Sequence, residues 1–356
     1  MRRSTLNQFL TGATAGDAIT DQALLMRRWL RVLGFKSEIY AWHMHRSMSE
    51  EIRPISTYVR AQGEEWGIYH HSIGSEVPDF LVQQDLRLIL VYHNITPPEF
   101  FEGSDPLRAH LARLGMQQLT TLRPKTELAL AVSSYNEAEL KQAGFEHTAV
   151  QPICLRTEQY DMPLNRQLAA ELAQPGPRLL FIGRLAPNKR QEDLVKLLYC
   201  LRRARPQAHL YLIGDPWEVG YDRWVEQLAD DLGIRTGVTL VGKVSQEDMV
   251  TYLRAADIYV SMSEHEGFGV PLIESMYLGL PVVAYGAAAV PETMADAGVL
   301  FSRKEYESLA ELIDLLLADE ALRGRIIERQ KARVRTFLEP QVHRQFVAQL
   351  EKAGLI

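Results

Sequence analysis

The alternation of strand and helix in this chain shows most clearly in residues 256–274, which read Ala-Asp-Ile-Tyr-Val at 256–260 and Glu-His-Glu-Gly-Phe-Gly-Val-Pro-Leu-Ile-Glu at 264–274. The first run has the apolar, β-branched character of a buried strand. The residues from Pro271 onward are typical of a helix, whose first turn tolerates proline. The stretch therefore predicts a strand, a loop and a helix in succession.

The loop in this stretch favours a ligand that carries both phosphate and hydroxyl groups. Gly267 and Gly269 allow the backbone to approach a ligand closely, and the N–H groups and dipole of the following helix attract an anion. Glu266 and Glu274 repel phosphate but accept hydrogen bonds from hydroxyls. A ligand with a phosphate and a sugar suits this combination.

A second stretch, Phe-Ile-Gly-Arg-Leu-Ala-Pro-Asn-Lys at 181–189, has the same order of strand and loop and precedes a helix predicted to begin at Gln191. In open parallel sheets, ligands bind beyond the carboxyl ends of the strands, so Arg184 and Lys189 are expected to face a ligand. Arg can bind two phosphate oxygens at once, and Lys supplies a mobile positive charge. Taken alone, the stretch also fits a solvated basic loop.

Together the two stretches resemble the signatures of a known family. The context Glu-Gly-Phe-Gly-x-Pro-x-x-Glu at 266–274 is similar to that of retaining glycosyltransferases of family 4, which have the GT-B architecture. Residues 183–189 are similar to the family's Gly-Arg-x-x-x-x-Lys phosphate-binding loop. The resemblance implies that Glu274 binds the ribose of a nucleotide, that Glu266 contacts the donor sugar and that the two cations bind the diphosphate.

The resemblance also supplies a full set of expected site residues. The expected nucleotide- and donor-binding residues are Gly16, Gly183, Arg184, Lys189, Glu266, Gly267, Phe268, Gly269, Val270 and Glu274. The expected catalytic residues are Arg184, Lys189, Glu266 and His93. Asp17, in a small-residue loop at 12–17, is expected either to cap the next helix or to bind the acceptor.

Histidines near the ends of predicted strands are further candidates. His93 follows the strand predicted at 86–92, and family members often have a histidine there, near the donor sugar and the reacting centre. His70 and His71 are expected in a neighbouring loop, and a metal cluster of these three histidines is an alternative. Because no Asp-x-Asp motif stands in a persuasive position after a strand, we expect cationic side chains in place of a metal, and no cofactor.

Charge and composition argue against several classes of protein. The formal net charge of -6 argues against general nucleic-acid binding, and no segment approaches the ~20 apolar residues of a membrane span. The chain begins with no signal-peptide pattern, and the distant Cys154 and Cys200 are expected to be reduced. We therefore expect a cytoplasmic protein, with peripheral contact to the inner face of the membrane as an alternative. That alternative rests on four cations that also fit a solvated helix face, Arg108, Arg113, Arg123 and Lys125.

Strand-like and helix-like segments alternate along all 356 residues, which predicts an α/β fold with parallel sheets and about two domains. Residues 156–177, which contain Pro163, Pro175 and Gly176, interrupt this alternation and are expected to form the linker. The resemblance implies GT-B, with two Rossmann-like domains whose sheets face an interdomain cleft. The predicted ranges are 1–157 for an acceptor-binding domain, 158–340 for a nucleotide-sugar-binding domain and 341–356 for a helix that crosses back to the first domain.

The activity implied by the resemblance is that of a retaining, metal-independent glycosyltransferase. The acceptor hydroxyl would attack from the face that the diphosphate leaves, so no enzymic nucleophile is required. Bacterial relatives build lipopolysaccharide, capsule or exopolysaccharide, which suggests a saccharide or a lipid-linked saccharide as acceptor. GDP-mannose is the first expectation for the donor and UDP-glucose or another UDP-sugar the second. A GT-B nucleotide-sugar epimerase and an inactive sugar-nucleotide-binding protein are the alternatives.

Overall fold

The computed structural model describes residues 5–216 and 220–356, which form two compact units. The N-terminal unit consists of residues up to Glu102, Pro106–Cys154 and Glu339–Ile356, and the C-terminal unit consists of Gly103–Asp105 and Leu155–Leu338. Apart from the short segment Gly103–Asp105, the chain passes from one unit to the other after Cys154 and again after Leu338, a few residues before the boundaries predicted at 157 and 340.

The N-terminal unit is built on a parallel sheet of seven strands. The strands are β1 Leu6–Ala13, β2 Ile39–Met44, β3 Arg53–Pro54, β4 Trp66–His71, β5 Arg87–Tyr92, β6 Thr126–Ala131 and β7 Thr148–Val150. Their order in the sheet is β3-β2-β1-β4-β5-β6-β7, and every pairing is parallel. The helices of the unit are α1 Ala18–Val32, α2 Val77–Val82, α3 Pro106–Leu122, α4 Ser134–Gln142 and the C-terminal helix Glu339–Lys352.

Both faces of this sheet are covered, which explains why strand β5 is apolar from Leu88 to Val91. In β5, Leu88 and Leu90 belong to one buried cluster, whereas Ile89 and Val91 belong to another. Successive side chains of a strand point to opposite faces, so a strand buried on both faces must be apolar throughout. The run Leu-Ile-Leu-Val at 88–91 satisfies this requirement.

The C-terminal helix belongs to the core of the N-terminal unit. Val342, Phe346 and Leu350 recur every four residues, are fully buried, and join the cluster that contains Ile89 and Val91. This spacing places the three side chains on one face of the helix. The apolar stripe therefore fixes the end of the chain against the first sheet.

The C-terminal unit is built on a second parallel sheet, of six strands. The strands are β8 Arg178–Ile182, β9 His209–Ile213, β10 Val238–Gly242, β11 Ile258–Ser261, β12 Val282–Tyr285 and β13 Val299–Phe301. Their order is β10-β9-β8-β11-β12-β13, with every pairing parallel. The helices are α5 Arg166–Leu172, α6 Gln191–Leu201, α7 Tyr221–Asp231, α8 Gln246–Ala255, α9 Val270–Tyr277, α10 Val290–Met294, α11 Tyr306–Ala318 and α12 Glu320–Val334.

Each sheet has a topological switch point, where the strand order reverses direction. In the N-terminal unit it lies between β1 and β4, and in the C-terminal unit between β8 and β11. Loops that leave neighbouring strands at a switch point diverge to opposite faces, which opens a crevice at the carboxyl ends of the strands. The stretches at 183–189 and 262–269 leave β8 and β11 and therefore flank this crevice in the C-terminal unit.

The fold class predicted from the sequence is confirmed, since both units are α/β with parallel sheets. The strand predicted at 86–92 is β5, Arg87–Tyr92, and the helix predicted to begin at Gln191 is α6, Gln191–Leu201. The segment 156–177, expected to form the linker between the domains, contains helix α5 and belongs to the C-terminal unit. Asn165 caps this helix by accepting hydrogen bonds from the backbone N–H groups of Gln167 and Leu168, a local signal that the surrounding prolines concealed.

Candidate functional site

The two signature stretches of the C-terminal unit are joined by a buried asparagine. Asn188, in the loop after β8, is 2% exposed. The side-chain amide of Asn188 donates to the backbone carbonyl of His265 at 3.2 Å, and the backbone carbonyl of Asn188 accepts from the N–H of Glu264 at 2.8 Å. These bonds fix the loop after β8 to the loop after β11. They therefore set the relative positions of the cations and carboxylates on the two loops.

The structure pairs two of the expected site residues directly. Nζ of Lys189 lies 2.7 Å from Oε1 of Glu266, and less than a fifth of either side chain is exposed. The carbonyl of Glu266 also accepts from the N–H of Ala289 at 3.1 Å, which holds the loop against the segment after β12. An ammonium group has three N–H donors. Lys189 can therefore donate to an anionic ligand while it remains paired with Glu266.

Glu274 has a partner that the sequence did not suggest. The hydroxyl of Tyr160 donates to Oε1 of Glu274 at 2.6 Å, and the tyrosine is 1% exposed. The ring of Tyr160 packs on that of Tyr277, and its carbonyl accepts from Arg254 at 3.1 Å. A hydrogen bond to a carboxylate is stronger than one between neutral groups. Tyr160 therefore orients Glu274, although it lies in the segment that the sequence indicated to be a linker.

The start of α9 has the backbone geometry that its glycines predict. Gly269 is the N-cap residue with φ of 88°, and a Cβ atom there would lie 2.7 Å from Cδ1 of Leu272. A side chain is excluded by both conformation and space. Val270 is the first helical residue, and Gly267 lies in the preceding turn. Phe268 is buried against Phe337, so only its backbone can face a ligand.

Gly183 and Arg184 lie at the carboxyl end of β8, as the strand prediction requires. The N–H of Gly183 donates to the carbonyl of Ile213 at 2.8 Å, and the carbonyl of Arg184 accepts from the side chain of Gln191 at 2.9 Å. The Arg184 residue is exposed, whereas Lys189 is partly buried. Of the two expected phosphate ligands, Arg184 is therefore the more accessible.

A network of charges that the sequence did not reveal lies beside these loops. Asp193, whose side chain is fully buried, is bonded to Lys304, Tyr306 and Arg190. Burial would raise the pKa of Asp193, but the hydrogen bonds from Lys304, Tyr306 and Arg190 outweigh this effect and hold the pKa at about 2. Lys304 also contacts Glu264 at 2.7 Å. The network thus connects the start of α6 with the loop after β11.

Arg190 is the strained member of this network. It caps α6 in the left-handed conformation with φ of 57°, which is unfavourable for a residue other than glycine. Its guanidinium pairs with Glu192 at 3.0 Å, Asp193 at 3.1 Å and Glu264 at 3.4 Å. The three carboxylates hold the residue in this conformation. Glu192 and Asp193 are local partners in the first turn of α6, whereas Glu264 is brought to Arg190 by the tertiary fold.

In the N-terminal unit, His70 and His93 form a hydrogen-bonded pair beside the switch point. Nδ1 of His70 lies 2.9 Å from Nε2 of His93, and Nε2 of His70 lies 2.9 Å from Oε1 of Gln8. His71, on the other side of β4, contacts the hydroxyl of Tyr69 through Nδ1 at 3.1 Å and the carbonyl of Gly115 through Nε2 at 2.8 Å. The expectation that His70 and His71 lie in a loop is wrong, because both belong to strand β4, at its carboxyl end, although His70 does contact His93.

Burial keeps these histidines neutral. Burial lowers the pKa of His71 to about 4. It also lowers the pKa of His93 to about 3, and the neighbouring His71 makes a smaller contribution to this shift. The pKa of His70 is lowered well below its ordinary value by burial and by the neighbouring His93. A neutral imidazole can donate through one nitrogen and accept through the other. This site therefore presents hydrogen-bonding groups without net charge.

The alternative of a metal cluster at these histidines is wrong. Both ring nitrogens of His70 and of His71 are already engaged in hydrogen bonds, which leaves neither ring a lone pair directed at a shared ion. Across residues 5–216 and 220–356, no group of three or more His, Cys, Asp or Glu side chains could hold a metal ion. Whether the chain acts without a metal stays a prediction.

The turn after β5 is held by a polar network that positions His93. Asn94 follows it with φ of 77°, and its amide donates to Oδ1 of Asn136 at 2.9 Å and to Oε2 of Glu139 at 3.1 Å. The hydroxyl of Tyr92 donates to the same carboxylate oxygen at 3.1 Å. Asn tolerates the left-handed conformation better than most residues. The strained turn and its buried bonds fix the direction in which the chain leaves His93.

The loop after β1 has a clear structural role. Gly16 has φ of 77°, and Asp17 caps α1 by accepting a hydrogen bond from the N–H of Thr20 at 3.0 Å. Of the two roles expected for Asp17, the structure therefore provides direct support for the helix cap.

Several cations considered for a membrane surface are engaged with protein groups. Arg113 pairs with Glu102 at 2.8 Å, and Lys125 donates to the carbonyl of Gln84. No helix in the described part of the chain is long and apolar enough to cross a membrane.

Comparison with protein families gives a match that contains both signature stretches. Residues 168–333 match the model of the family described as Glycosyl transferases group 1. This range lies inside the C-terminal unit and excludes His93 and the first sheet.

Two curated relatives each match less than half of the chain. The GDP-mannose-dependent monoacylated alpha-(1-6)-phosphatidylinositol monomannoside mannosyltransferase of Corynebacterium glutamicum is 31% identical over 150 residues, which are 40% of this chain and 38% of that protein. A D-inositol 3-phosphate glycosyltransferase of Mycobacterium bovis is 33% identical over 158 residues, 43% of this chain and 32% of that protein. The chain thus spans less than half the length of these curated relatives.

Solved structures match nearly the whole chain. The structure of HepE of Anabaena in complex with UDP and glucose matches this chain with a TM-score of 0.77 and 19% identity. The match covers 98% of this chain and 100% of the HepE chain. Sucrose-phosphate synthase of Thermosynechococcus elongatus has a TM-score of 0.74 and 18% identity, with 98% of both chains covered. At this level of identity the likeness shows the fold alone. That fold is GT-B, an architecture of two α/β domains.

Proposed function

We propose, from the GT-B fold and from the match of residues 168–333 to the Glycosyl transferases group 1 model, that this chain transfers a hexose from a nucleoside-diphosphate sugar to a saccharide or lipid-linked saccharide, with retention of configuration. The observation that carries the proposal is the pairing of the two signature loops at the switch point of the C-terminal unit. Asn188 binds one loop to the other, and Lys189 contacts Glu266 across them. A cation and a carboxylate are thereby placed side by side.

This arrangement suits the two halves of a nucleotide sugar. When the bond between the sugar and the β-phosphate breaks, negative charge grows on the departing phosphate. Arg184, Lys189 and the N-terminus of α9 can stabilise that charge, and one preorganised donor is worth about 2–4 kcal/mol in comparable sites. The acceptor hydroxyl forms the new bond on the same face, and its proton passes to the departing diphosphate. No covalent intermediate with the protein is needed.

Carboxylates in the same region suit the hydroxyl groups of the ligand. We assign Glu274 to the ribose hydroxyls, because Tyr160 fixes one of its oxygens and so limits the orientations of the carboxylate. Glu266 is assigned to a hydroxyl of the donor sugar. His93, a neutral imidazole after β5, is assigned to a sugar hydroxyl as well.

GDP-mannose is the first candidate donor, since the Corynebacterium relative is named as GDP-mannose-dependent. UDP-glucose is the second candidate, because the HepE structure was obtained with UDP and glucose.

A thermal-shift panel tests the proposal. A ligand that binds only the folded state raises the apparent melting temperature, by an amount that grows with its concentration relative to its Kd. We expect GDP or UDP to raise Tm, and the matching sugar nucleotide to raise it further. Proton NMR of the product should then show the anomeric configuration of the donor. The proposal fails if no nucleoside diphosphate stabilises the protein, or if the product is inverted.

A further inference from the structure

The tautomer of His70 is determined by a buried glutamine in strand β1, Gln8. Gln8 is fully buried in β1, and its Nε2 donates to the carbonyl of Ala23 at 3.0 Å. A backbone carbonyl can only accept, so the amide orientation of Gln8 is fixed and its Oε1 must face the other way. This oxygen lies 2.9 Å from Nε2 of His70, and it too can only accept. Nε2 of His70 therefore carries the hydrogen.

The same logic extends from His70 to His93. A neutral His70 with hydrogen on Nε2 has a lone pair on Nδ1, which lies 2.9 Å from Nε2 of His93. Nε2 of His93 must therefore donate to it, which leaves the lone pair of His93 on Nδ1. That atom is buried, and none of the residues 5–216 or 220–356 hydrogen-bonds to it. An acceptor atom is thus presented immediately after a strand beside the switch point.

His71 provides an internal contrast. Its Nε2 donates to the carbonyl of Gly115 at 2.8 Å, so it has the same tautomer as His93. Its Nδ1, however, accepts from the hydroxyl of Tyr69 at 3.1 Å. Burial raises the pKa of Tyr69 to about 12, so this hydroxyl stays protonated. His71 is therefore fully satisfied within the protein, whereas His93 has one buried acceptor to spare.

We propose that Gln8 and His70 are positioning residues, which hold His93 in the tautomer whose Nδ1 accepts a hydrogen bond from a hydroxyl of the sugar substrate. The inference rests on the proposed function in one respect, namely that the ligand is a sugar nucleotide. The low pKa of His93 accords with a role as a neutral acceptor rather than as a general base. A protonated Nδ1 would donate, and would lose the bond to a hydroxyl oriented as donor.

Nitrogen-15 NMR of protein labelled at histidine tests the tautomer directly. The chain has 10 histidines, and a His93→Asn variant identifies the signals of His93. We expect a protonated Nε2 and an unprotonated Nδ1 in His93 of the wild-type protein. The Nδ1 signal should shift when a donor sugar nucleotide is added and stay unchanged with the bare nucleoside diphosphate. Hydrogen on Nδ1 of His93, or no sugar-dependent shift, overturns the inference.

Variants of Gln8 and His70 test the relay. Gln8→Met removes the Oε1 atom that accepts from His70, so the tautomers of His70 and His93 should become mixed. Turnover should then fall about 3- to 30-fold, as expected for the loss of one hydrogen bond, while nucleotide affinity stays unchanged. His70→Leu should behave in the same way. His70→Asn can place Oδ1 where Nδ1 was, so it should recover most of the turnover and restore a single His93 tautomer.

Gln22→Met is the matched control. Gln22 is a buried glutamine of the same unit that bonds to the backbone of Cys154 and touches no histidine in the described structure. Its replacement should lower stability without altering the tautomer of His93 or the turnover. If Gln8→Met retains full turnover while the wild-type enzyme transfers sugar, the inference is wrong and the proposed function stands. If the wild type transfers no sugar, the proposed function fails, and the NMR result alone decides the tautomer.

Discussion

The switch points of the two sheets lie at equivalent places in the same topology but have opposite electrostatic character. In the C-terminal unit this region carries the ion pair of Lys189 with Glu266 and the charged network around Asp193. In the N-terminal unit, His70 at the end of β4 and His93 just after β5 are neutral and hydrogen-bonded, and Gln8 within β1 holds His70. The contrast shows that the fold supplies only a location, and that the side chains at the strand ends determine what can bind there.

The contrast has a physical reason in each unit. Buried charges are costly unless each has a partner, and the C-terminal unit meets this condition with ion pairs and charge-assisted hydrogen bonds. Such a site suits an anionic diphosphate, whose charge the cations can share. The N-terminal unit avoids the cost by keeping its imidazoles neutral, which suits sugar hydroxyls.

The largest expected effect of this contrast is on stability against acid. The folded-state pKa of His71 is about 4, below the ordinary value of 6.5, so the unfolded chain binds a proton first as pH falls. The free energy of unfolding should therefore decrease from about pH 6.5 to pH 4, by about 3 kcal/mol for His71 alone. His70 and His93 act in the same direction.

Asp193 in the C-terminal unit should respond in a different window. Its folded-state pKa of about 2 lies below the ordinary 3.8, so its contribution is present above pH 4 and is lost only as pH falls towards 2. Urea unfolding between pH 7 and pH 4 should show a smaller pH dependence in His71→Gln than in the wild type, whereas Asp193→Asn should keep the wild-type slope. Equal slopes in the wild type and His71→Gln would contradict the assignment of neutral histidines.

Replacement of Lys189 should have the next largest effect. We expect Lys189→Ala to lower kcat/KM roughly 30- to 1000-fold, which corresponds to a loss of about 2–4 kcal/mol of transition-state stabilisation. The variant loses both a ligand for the phosphate and the partner of Glu266. Lys331→Ala is the control, since Lys331 is an exposed lysine paired with Glu328. Steady-state kinetics with the donor found in the thermal-shift panel provide the measurement. Similar activity in the two variants would remove Lys189 from the mechanism.

Removal of the Tyr160 hydroxyl should have a moderate effect. Tyr160→Phe keeps the buried ring but releases Oε1 of Glu274, so nucleoside-diphosphate affinity should fall by about 1 kcal/mol, roughly fivefold. Tyr277→Phe removes a hydroxyl from the neighbouring ring and should bind normally. Calorimetry in a Glu274→Gln background gives a double-mutant cycle. Additive effects would show that Tyr160 does not act through Glu274.

The smallest expected effect is that of metal removal. Cations occupy the loop where a metal-dependent enzyme would use an Asp-x-Asp pair, so activity should be unchanged after exhaustive treatment with EDTA. Assays with and without added Mg²⁺ or Mn²⁺ complete the test. Loss of activity with EDTA and its recovery with either ion would require a different account of how the departing phosphate is stabilised.

The sequence predicted the architecture well because strand periodicity and glycine placement are local properties. The bounds of β8, β9 and β11 and the start of α9 follow from apolar runs and from the glycines at 267 and 269. The GT-B fold implied by the resemblance is confirmed by the solved structures, and the stretches 183–189 and 266–274 both lie within the residues that match the Glycosyl transferases group 1 model. These features require no knowledge of which residues meet across the sheet.

The partners of the site residues could not be predicted in the same way. Tyr160 lies 114 positions before Glu274, and Gln8 lies 62 positions before His70. Neither pair leaves a pattern in the sequence, because hydrogen bonds across a sheet depend on strand order and register. The alternative of a metal cluster failed for the same reason, since the bonds that occupy His70 and His71 come from distant residues.

Calorimetric titration of the bare nucleoside diphosphate into Lys189→Ala and His93→Ala tests the division between a charged and a neutral site most directly. The ligand has the diphosphate but no hexose, so only the charged site should contribute to its binding. We predict that Lys189→Ala weakens binding by about tenfold or more and that His93→Ala binds as the wild type does. Equal weakening in both variants, or unchanged binding in Lys189→Ala, would contradict the division.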